Sequence, residues 1–235
     1  MSAVPSLETH AGLMDRIYRP QRHIYDLTRK YYLLGRDRLI AGLALKPGTC
    51  LIEVGCGTGR NLIAIARRYP EVQLFGLDAS EAMLEIARAK VREAGLESRI
   101  LLRQGLAEQL SPRTFGVEGF DHVIFSYCLS MVPDWRGALD AGIAALAAGG
   151  RWHVVDFADL KGLGRLGRRI LMAWLKLFHV SPRSEFLYNL EHVRPKMGAL
   201  TLLAGRYAFV FHSQPKVNRE SFPLGPCGAG TTAAP

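Results

Sequence analysis

Three glycines at alternate positions are the residues of this sequence whose spacing most directly indicates chemistry. Gly55, Gly57 and Gly59 follow a short apolar run, Cys50–Val54, and precede Arg60–Arg68, where apolar residues recur at helical spacing. Glycine is needed where the chain takes unusual dihedral angles and where a ligand lies directly on the backbone. The start of the helix then offers free N–H groups to that ligand. The segment therefore predicts a ligand-binding turn between a buried strand and a helix.

The spacing of this turn argues against a nicotinamide or flavin cofactor. The dinucleotide fingerprint is Gly-x-Gly-x-x-Gly, whereas here the third glycine comes one position early and Arg60 stands where that pattern needs glycine. Two carboxylates accompany the turn. Glu53 lies two residues before the first glycine, and Asp78 follows the next apolar run, residues 73–77. An acid at the tip of a second strand suits the two hydroxyls of a ribose.

The pattern Glu-x-Gly-x-Gly-x-Gly followed by this aspartate resembles that of the class I S-adenosylmethionine (SAM) methyltransferases; the alternative is a glycine turn of another α/β protein. The resemblance implies SAM as the cofactor, S-adenosylhomocysteine as the product and no metal. It implies that the glycine turn holds the methionine part, Asp78 the ribose and Met83 the adenine. The predicted cofactor-binding residues are Glu53, Gly55, Gly57, Gly59, Asn61, Asp78, Ala79, Met83, Leu106, Ala107 and Ser126.

The expected adenine contact departs from the pattern of these enzymes. Related methyltransferases usually carry an acid where Leu106 stands, bonded to the adenine amino group. Leu106 and Ala107 offer only backbone groups at this place. We expect the next residue, Glu108, to be a solvated turn residue.

The elements that must position these residues alternate between strand and helix. Predicted strands cover residues 50–54, 73–77, 100–103, 120–125, 151–157, 200–203 and 207–211. The first five predict a parallel sheet with helices on both faces, and the last two predict a hairpin. We expect an α/β, Rossmann-like class I methyltransferase fold with a mostly parallel seven-stranded sheet, an antiparallel C-terminal hairpin and an N-terminal helical cap. Ligands bind at the carboxyl ends of such strands.

The segment after the fourth predicted strand, residues 126–135, occupies the position where SAM enzymes face the sulfonium and the acceptor. It lacks the Asn-Pro-Pro-Tyr motif of enzymes that methylate base or amide nitrogens, which argues against a DNA base as acceptor. Tyr127 is predicted to lie next to the transferred methyl group; the alternative is that it is a core aromatic residue.

The N-terminal region is rich in tyrosine and arginine. We divide the chain into a helical lid (1–46), a SAM-binding domain (47–213) and a disordered tail (214–235) rich in Pro, Gly, Ala and Thr. A lid of this composition suits an ammonium group through cation–π attraction and a carboxylate or phosphate through guanidinium forks. The alternative is a helical cap with a solvated basic face. The predicted substrate-binding residues are Tyr18, Arg29, Tyr31, Tyr32, Arg36 and Arg183.

Residues 160–183 contain six basic side chains and no acid. At about 100° per residue, one side collects the apolar residues Leu160, Leu163, Leu166, Ile170, Leu171, Trp174, Leu177 and Phe178. A basic amphipathic segment with aromatic residues is typical of membrane-surface binding; the alternative is a surface helix packed on the sheet. The residues predicted to contact the membrane are Arg165, Arg168, Arg169 and Trp174.

Composition limits the compartment and the partners. The chain has 235 residues and is 49% hydrophobic, enough for one sizeable domain, and it shows neither an apolar run of membrane-spanning length nor a signal peptide. Its four cysteines have no paired spacing, which favours a reducing cytosol over disulfides or zinc. The net charge of +9 indicates an anionic partner, nucleic acid or membrane. We expect a cytoplasmic protein peripherally associated with the inner face of the membrane, in an oligomeric state left open.

The tyrosine- and arginine-rich stretch at 13–37, the glycine turn and residues 178–183 together resemble the bacterial betaine-lipid N-methyltransferases, the BtaB group. The resemblance covers most of the chain and implies three methylations of diacylglyceryl-homoserine, an amine-bearing membrane lipid. Its carboxylate would need a cation, for which Arg29, Arg36 and Arg183 are candidates. A phosphatidylethanolamine N-methyltransferase is a close alternative.

Other classes and the proton acceptor remain open at this point. The charge allows an RNA methyltransferase, but no appended RNA-binding module is recognisable and we expect no nucleic-acid partner. A non-catalytic SAM-binding protein is the least favoured alternative. The substrate amine must lose a proton before it attacks, and the side chains that could assist are Tyr25, Tyr127, His153 and Asp156. We predict Tyr25 and Tyr127 as the catalytic residues.

Overall fold

A computed structural model describes residues 33–178, 180–193 and 195–215. Seven strands form one sheet within these ranges. They are β1 (Cys50–Val54), β2 (Gln73–Asp78), β3 (Ile100–Gln104), β4 (Phe120–Ser126), β5 (Leu146–Phe157), β6 (Gly198–Leu203) and β7 (Ala208–Ser213). The strand order is β3-β2-β1-β4-β5-β7-β6, and β7 runs antiparallel to both of its neighbours. The predicted fold, a mostly parallel seven-stranded sheet with an antiparallel C-terminal hairpin, is confirmed.

Six α-helices connect or cover these strands in the described part of the chain. They are α1 (Arg36–Ala41), α2 (Arg60–Arg68), α3 (Glu81–Glu93), α4 (Trp135–Ala144), α5 (Gly164–Leu177) and α6 (Ser184–Tyr188). Local capping explains two of the helix starts. The Ser80 side chain accepts a hydrogen bond from the Met83 N–H at the start of α3, and Asp134 accepts one from the Gly137 N–H at the start of α4.

Shorter helical turns complete the connections. The 3₁₀ turns are Ala107–Gln109, Pro112–Phe115, Lys161–Leu163 and Pro195–Met197, and Asn189–Val193 is a π-helical turn. None of the helices in the described ranges has the length and apolar character needed to cross a membrane.

Alternation along the strands sends side chains into a core layer on each face of the sheet. In β1, Ile52 and Val54 point to the layer that contains α4 and α6, whereas Leu51 points to the layer that contains α1, α2, α3 and α5. β4 repeats this division with Phe125 and Ile124. Helices therefore cover both faces, as the alternation of strands and helices predicts.

The fifth strand is longer than the sequence indicates. It begins at Leu146 and not at Arg151, because Leu146 pairs with Phe120 of β4 ahead of a shift in register. The preceding helix therefore ends at Ala144.

The register of β1 brings the predicted site residues to one edge. Val54, the last residue of β1, lies beside Leu77 of β2 and Phe125 of β4. The residues that follow these three positions are Gly55, Asp78 and Ser126. The glycine turn, the predicted ribose acid and the segment after β4 therefore meet at the carboxyl edge of the sheet.

Candidate active site

The glycine turn has backbone dihedral angles that favour glycine. The φ angles of Gly55, Gly57 and Gly59 are 71°, 53° and 74°. A Cβ atom on Gly55 would lie 2.8 Å from the Cys128 sulfur, so packing excludes a side chain there. A Cβ atom on Gly57 would meet no atom within 4 Å. The turn is therefore open at Gly57, where a ligand can lie on the backbone.

Asp78 fastens this turn to the tip of β2. One of its carboxylate oxygens accepts a hydrogen bond from the Gly57 N–H at 2.7 Å, and the other accepts one from the Ser80 N–H at 2.9 Å. The N–H groups of Gly55 and Cys56 both donate to the Leu77 carbonyl. The glycine turn and the predicted ribose acid thus form one hydrogen-bonded unit.

Glu53 is a buried carboxylate of which only one oxygen has a hydrogen-bond partner among the described residues. Its exposed fraction is 2%, and its Oε1 accepts a hydrogen bond from the Asn61 side chain at 2.6 Å. Its Oε2 is buried and has no hydrogen-bond partner among the described residues. Burial raises the pKa of Glu53 to about 8, although the bond from Asn61 and the charge of Arg36 oppose the shift. A cationic ligand group would satisfy the second oxygen.

A polar network joins this carboxylate to α1. Arg60 donates to the Asn61 side-chain oxygen at 3.0 Å and forms an ion pair of 2.6 Å with Asp37. Neither Arg60 nor Asp37 is among the predicted site residues. The signal available in the sequence was Arg60 itself, which stands where a dinucleotide turn would need glycine.

The predicted adenine residues lie around the ends of β2 and β3. Met83 and Leu106 are buried, and Ala107 begins a 3₁₀ turn. The Ala79 carbonyl accepts a hydrogen bond from the Gln104 side chain at 3.0 Å. Their contact with adenine stays a prediction.

Glu108 differs from its expectation as a solvated turn residue. Its Oε2 is buried and has no hydrogen-bond partner among the described residues. The difference concerns this oxygen, because the side chain as a whole is half-buried in a 3₁₀ turn that contacts α4. Ser126, at the end of β4, likewise has a buried hydroxyl for which the described residues offer no partner.

The environment of Tyr127 favours the alternative of a core aromatic residue. Its hydroxyl donates to the Leu34 carbonyl at 2.6 Å, and its ring packs edge-on against Phe157 with centroids 4.8 Å apart. Burial raises the pKa of Tyr127 well above its usual value, which disfavours the phenolate needed in a base. A catalytic role for Tyr127 stays a prediction.

Asp156 and Arg183 hold the segment after β4 from two sides. Asp156 accepts hydrogen bonds from the Ser130 N–H at 3.0 Å and the Phe157 N–H at 2.8 Å, and burial raises its pKa to about 6. Arg183 donates to the carbonyls of Leu129 at 2.9 Å and Val132 at 2.7 Å. Arg183 therefore helps to shape this loop, and its role in substrate binding stays a prediction.

His153 is a poor candidate for the base. Its Nε2 lies 3.0 Å from Nδ1 of His122, and its Nδ1 lies 2.8 Å from Nδ1 of His212. Both ring nitrogens are thus engaged by other histidines. Burial lowers the pKa of His153 well below its usual value.

The other predicted residues lie in α1, in α5 or outside the described ranges. Arg36, in α1, is close enough for its charge to act on Glu53. The predictions for Tyr18, Tyr25, Arg29, Tyr31 and Tyr32 fall on residues that the structure does not describe, as does most of the predicted lid (1–46) and tail (214–235). The residues assigned to membrane contact lie in α5.

The site fits the methionine end of SAM on two observations. Glu53 presents a buried carboxylate oxygen in need of a donor, which suits an α-ammonium group. The turn is open at Gly57, next to the N-terminus of α2. In the described ranges, no three His, Cys, Asp or Glu side chains are grouped as a metal ion would require.

Comparison with known proteins gives the class. Residues 51–150 match the family model described as a methyltransferase domain. The demethylmenaquinone methyltransferase of Listeria welshimeri is 33% identical over 155 residues, which are 63% of this chain and 64% of that protein. The match therefore spans slightly less than two thirds of the length of this relative. It does not support the resemblance to the betaine-lipid enzymes, which stays a proposal.

Solved structures share the fold. A possible histamine N-methyltransferase from Thermotoga maritima has a TM-score of 0.60 at 19% identity, over 86% of this chain and 100% of that one. The geranyl diphosphate C-methyltransferase from Streptomyces coelicolor A3(2), solved with S-adenosyl-L-homocysteine, has a TM-score of 0.62 at 13% identity, over 77% and 76%. The sheet order, the glycine turn and the family match define a SAM-dependent methyltransferase domain with a class I fold.

Proposed function

We propose that the whole protein methylates the amine of a membrane lipid head group, converting diacylglyceryl-homoserine to the trimethylhomoserine betaine lipid in successive steps. The choice of an amine as the acceptor rests on a group of acids near one buried thiol. Burial is the largest cause of the raised pKa of Cys128, and the charges of four carboxylates add to it. These are Asp78, Asp156, Glu53 and Glu108. In a protein of net charge +9, an acidic site favours cationic groups, such as a sulfonium and an ammonium.

The residues of the chain then have separable tasks in this reaction. When bound, SAM supplies an electrophilic methyl group, which the lone pair of the amine takes as the S–C bond breaks. Glu53 and the glycine turn hold the methionine end, and Asp78 holds the ribose. Asp156 and Arg183 fix the loop that faces the acceptor, which maintains attack geometry and excludes water.

Asp156 is the described residue best suited to take the proton of the amine. It lies at the end of β5 and its pKa is raised to about 6, closer to neutral pH than that of an ordinary aspartate. Tyr25 remains a second candidate.

We assign the growing methylammonium to the aromatic residues Tyr18, Tyr31 and Tyr32, and the carboxylate of homoserine to Arg29 and Arg36.

Two other lipid-borne acceptors compete with this proposal. Phosphatidylethanolamine offers the same amine chemistry with a phosphate in place of the carboxylate. A quinone ring is favoured by the relatives named demethylmenaquinone methyltransferase. An RNA acceptor, which the net charge allows, is less favoured because the acids near Cys128 would repel phosphates.

Methyl transfer from labelled SAM tests the proposal. The purified protein is incubated with RNA or with detergent micelles that contain diacylglyceryl-homoserine, phosphatidylethanolamine or demethylmenaquinone. The lipids are separated by thin-layer chromatography, and the RNA is precipitated and counted. We expect label in the homoserine lipid, with mono-, di- and trimethylated products. Label only in phosphatidylethanolamine or in the quinone would overturn the head-group assignment, and label in RNA alone would overturn the lipid class.

A further inference from the structure

The helix α5 has two apolar faces, although a helix on the surface of a globular protein needs only one. Its inner face is anchored by Leu175, which is buried in the core, with Leu171 packed against the same core layer. Its outer face carries Leu166, Ile170 and Leu177, whose exposed fractions are 72%, 63% and 75%. Spacings of four and seven residues place these three side chains on one stripe of the helix.

A basic stripe lies beside this outer apolar stripe. Arg165, Arg169 and Lys176 each precede one of the exposed apolar residues by one position, and all three are exposed. No acidic residue occurs between positions 160 and 183. Adjacent apolar and basic stripes on one exposed surface are characteristic of helices that lie in a membrane interface.

We propose that the outer face of α5 docks on an anionic membrane surface. Leu166, Ile170 and Leu177 enter the boundary between head groups and acyl chains, and Arg165, Arg169 and Lys176 contact the anionic head groups.

The surface differs from the one that the sequence predicts. Trp174 packs inward, with its ring 4.8 Å from that of Phe178. Arg168 donates to the Asp159 carbonyl at 3.2 Å. Neither residue therefore forms part of the docking stripes.

Charge favours a lipid surface over the other occupants of this face. Residues 1–32 carry five basic and three acidic side chains, and residues 216–235 carry two basic and one acidic, so both segments have a net positive charge. A second copy of the chain would bring the same basic stripe against its own. An anionic bilayer complements the basic stripe and accepts the apolar one.

The position of α5 connects docking to the site. The helix follows β5, whose carboxyl end carries Asp156, and Leu175 lies in the same core layer as Tyr127. Docking thus brings the acceptor edge of the sheet close to the membrane. This consequence for substrate access rests on the proposed function, whereas docking itself can be measured without any acceptor.

The test is flotation of the full-length protein with vesicles, in the absence of SAM and of any amine lipid. One set of vesicles is phosphatidylcholine alone and the other contains about a third phosphatidylglycerol. The basic variant combines Arg165→Glu, Arg169→Glu and Lys176→Glu. The apolar variant combines Leu166→Ser, Ile170→Ser and Leu177→Ser. A control variant, Lys46→Glu with Arg67→Glu and Arg113→Glu, makes the same charge change at exposed positions on other elements.

We expect wild type and control to float with the anionic vesicles only, with partitioning reduced at least tenfold in the apolar variant and further in the basic one. The proposal is overturned if wild type stays unbound, or if the basic variant and the control behave alike.

Light scattering must show the same molar mass for wild type and apolar variant. A dimer that the apolar variant dissociates would assign this face to a second copy. Failure of flotation with methyl transfer intact in micelles would reject docking alone.

Discussion

At the scale of single residues, Glu53 shows how stability is exchanged for ligand binding. Its Oε1 is satisfied by Asn61, whereas its Oε2 is buried without a partner among the described residues. Burial therefore favours the protonated acid, with a pKa of about 8. Between the ordinary pKa of 4.5 and this value, the folded state holds a proton that the unfolded chain releases, so stability falls as pH rises through that window.

The substitution Glu53→Gln tests whether the buried carboxylate lowers folding stability and increases SAM affinity. Glutamine mimics the protonated acid and keeps the bond from Asn61, so we expect a higher unfolding temperature than wild type at pH 8 and little difference at pH 5. SAM affinity should fall more than tenfold, because the carboxylate that would accept the ammonium group is gone. Calorimetric melting and SAM titration measure both effects. A variant that binds SAM like wild type would remove Glu53 from the ligand.

Residue types near the motif were predictable from the sequence, whereas long-range partners were not. The glycine turn could be predicted because positive φ angles restrict these positions to glycine locally. The bonds of Tyr127 to Leu34 and of Arg183 to Val132 join residues 93 and 51 positions apart. No periodicity encodes such contacts, so the sequence does not predict the bonds of these two side chains to the backbone.

At the scale of elements, a row of histidines links three strands of the sheet. His122 of β4, His153 of β5 and His212 of β7 are joined side by side by ring nitrogens 3.0 and 2.8 Å apart. Burial lowers the pKa of each, that of His122 to about 4. Near neutral pH, the row therefore consists of neutral rings that alternate as donors and acceptors.

This row predicts loss of stability in acid. From pH 6.5 down to about 4, the unfolded chain binds protons that folded His122 excludes, so the free energy of unfolding falls as pH falls. The variant His122→Gln should lose part of this pH dependence, whereas His192→Gln, at an exposed position, should keep it. Thermal unfolding followed across that range measures the slope. Equal slopes for wild type and His122→Gln would contradict the interpretation.

The amphipathic pattern of α5 was predictable, but its orientation was not. Helical periodicity groups residues into stripes and does not say which stripe meets the core. The sequence placed Leu166, Leu171 and Trp174 on one apolar side, and the structure divides them between an exposed and an inner face. The parallel arrangement of the first five strands, by contrast, follows from alternating strands and helices, because parallel strands need a crossover connection that is usually a helix.

At the scale of the whole molecule, charge is divided between the site and the surface. The net charge is +9, yet the charges of four carboxylates help to raise the pKa of the buried Cys128 thiol at the site edge. The exposed basic stripe lies on α5, which follows β5 in the chain, and the carboxyl end of β5 lies at the same edge. This division suits a protein that approaches an anionic surface and accepts cationic groups inside.

Glu53, the glycine turn and Asp78 form the proposed SAM site. Calorimetric titration of SAM into wild type, Asp78→Ala, Gly57→Val and Gly95→Val tests it. Gly95 is the matched control, because its φ is also positive, at 66°, and a Cβ atom there meets nothing within 4 Å. We predict more than tenfold weaker binding for Asp78→Ala, no measurable binding for Gly57→Val and wild-type affinity for Gly95→Val. Unchanged affinity in the first two variants would contradict the assignment of the glycine turn and Asp78 to SAM.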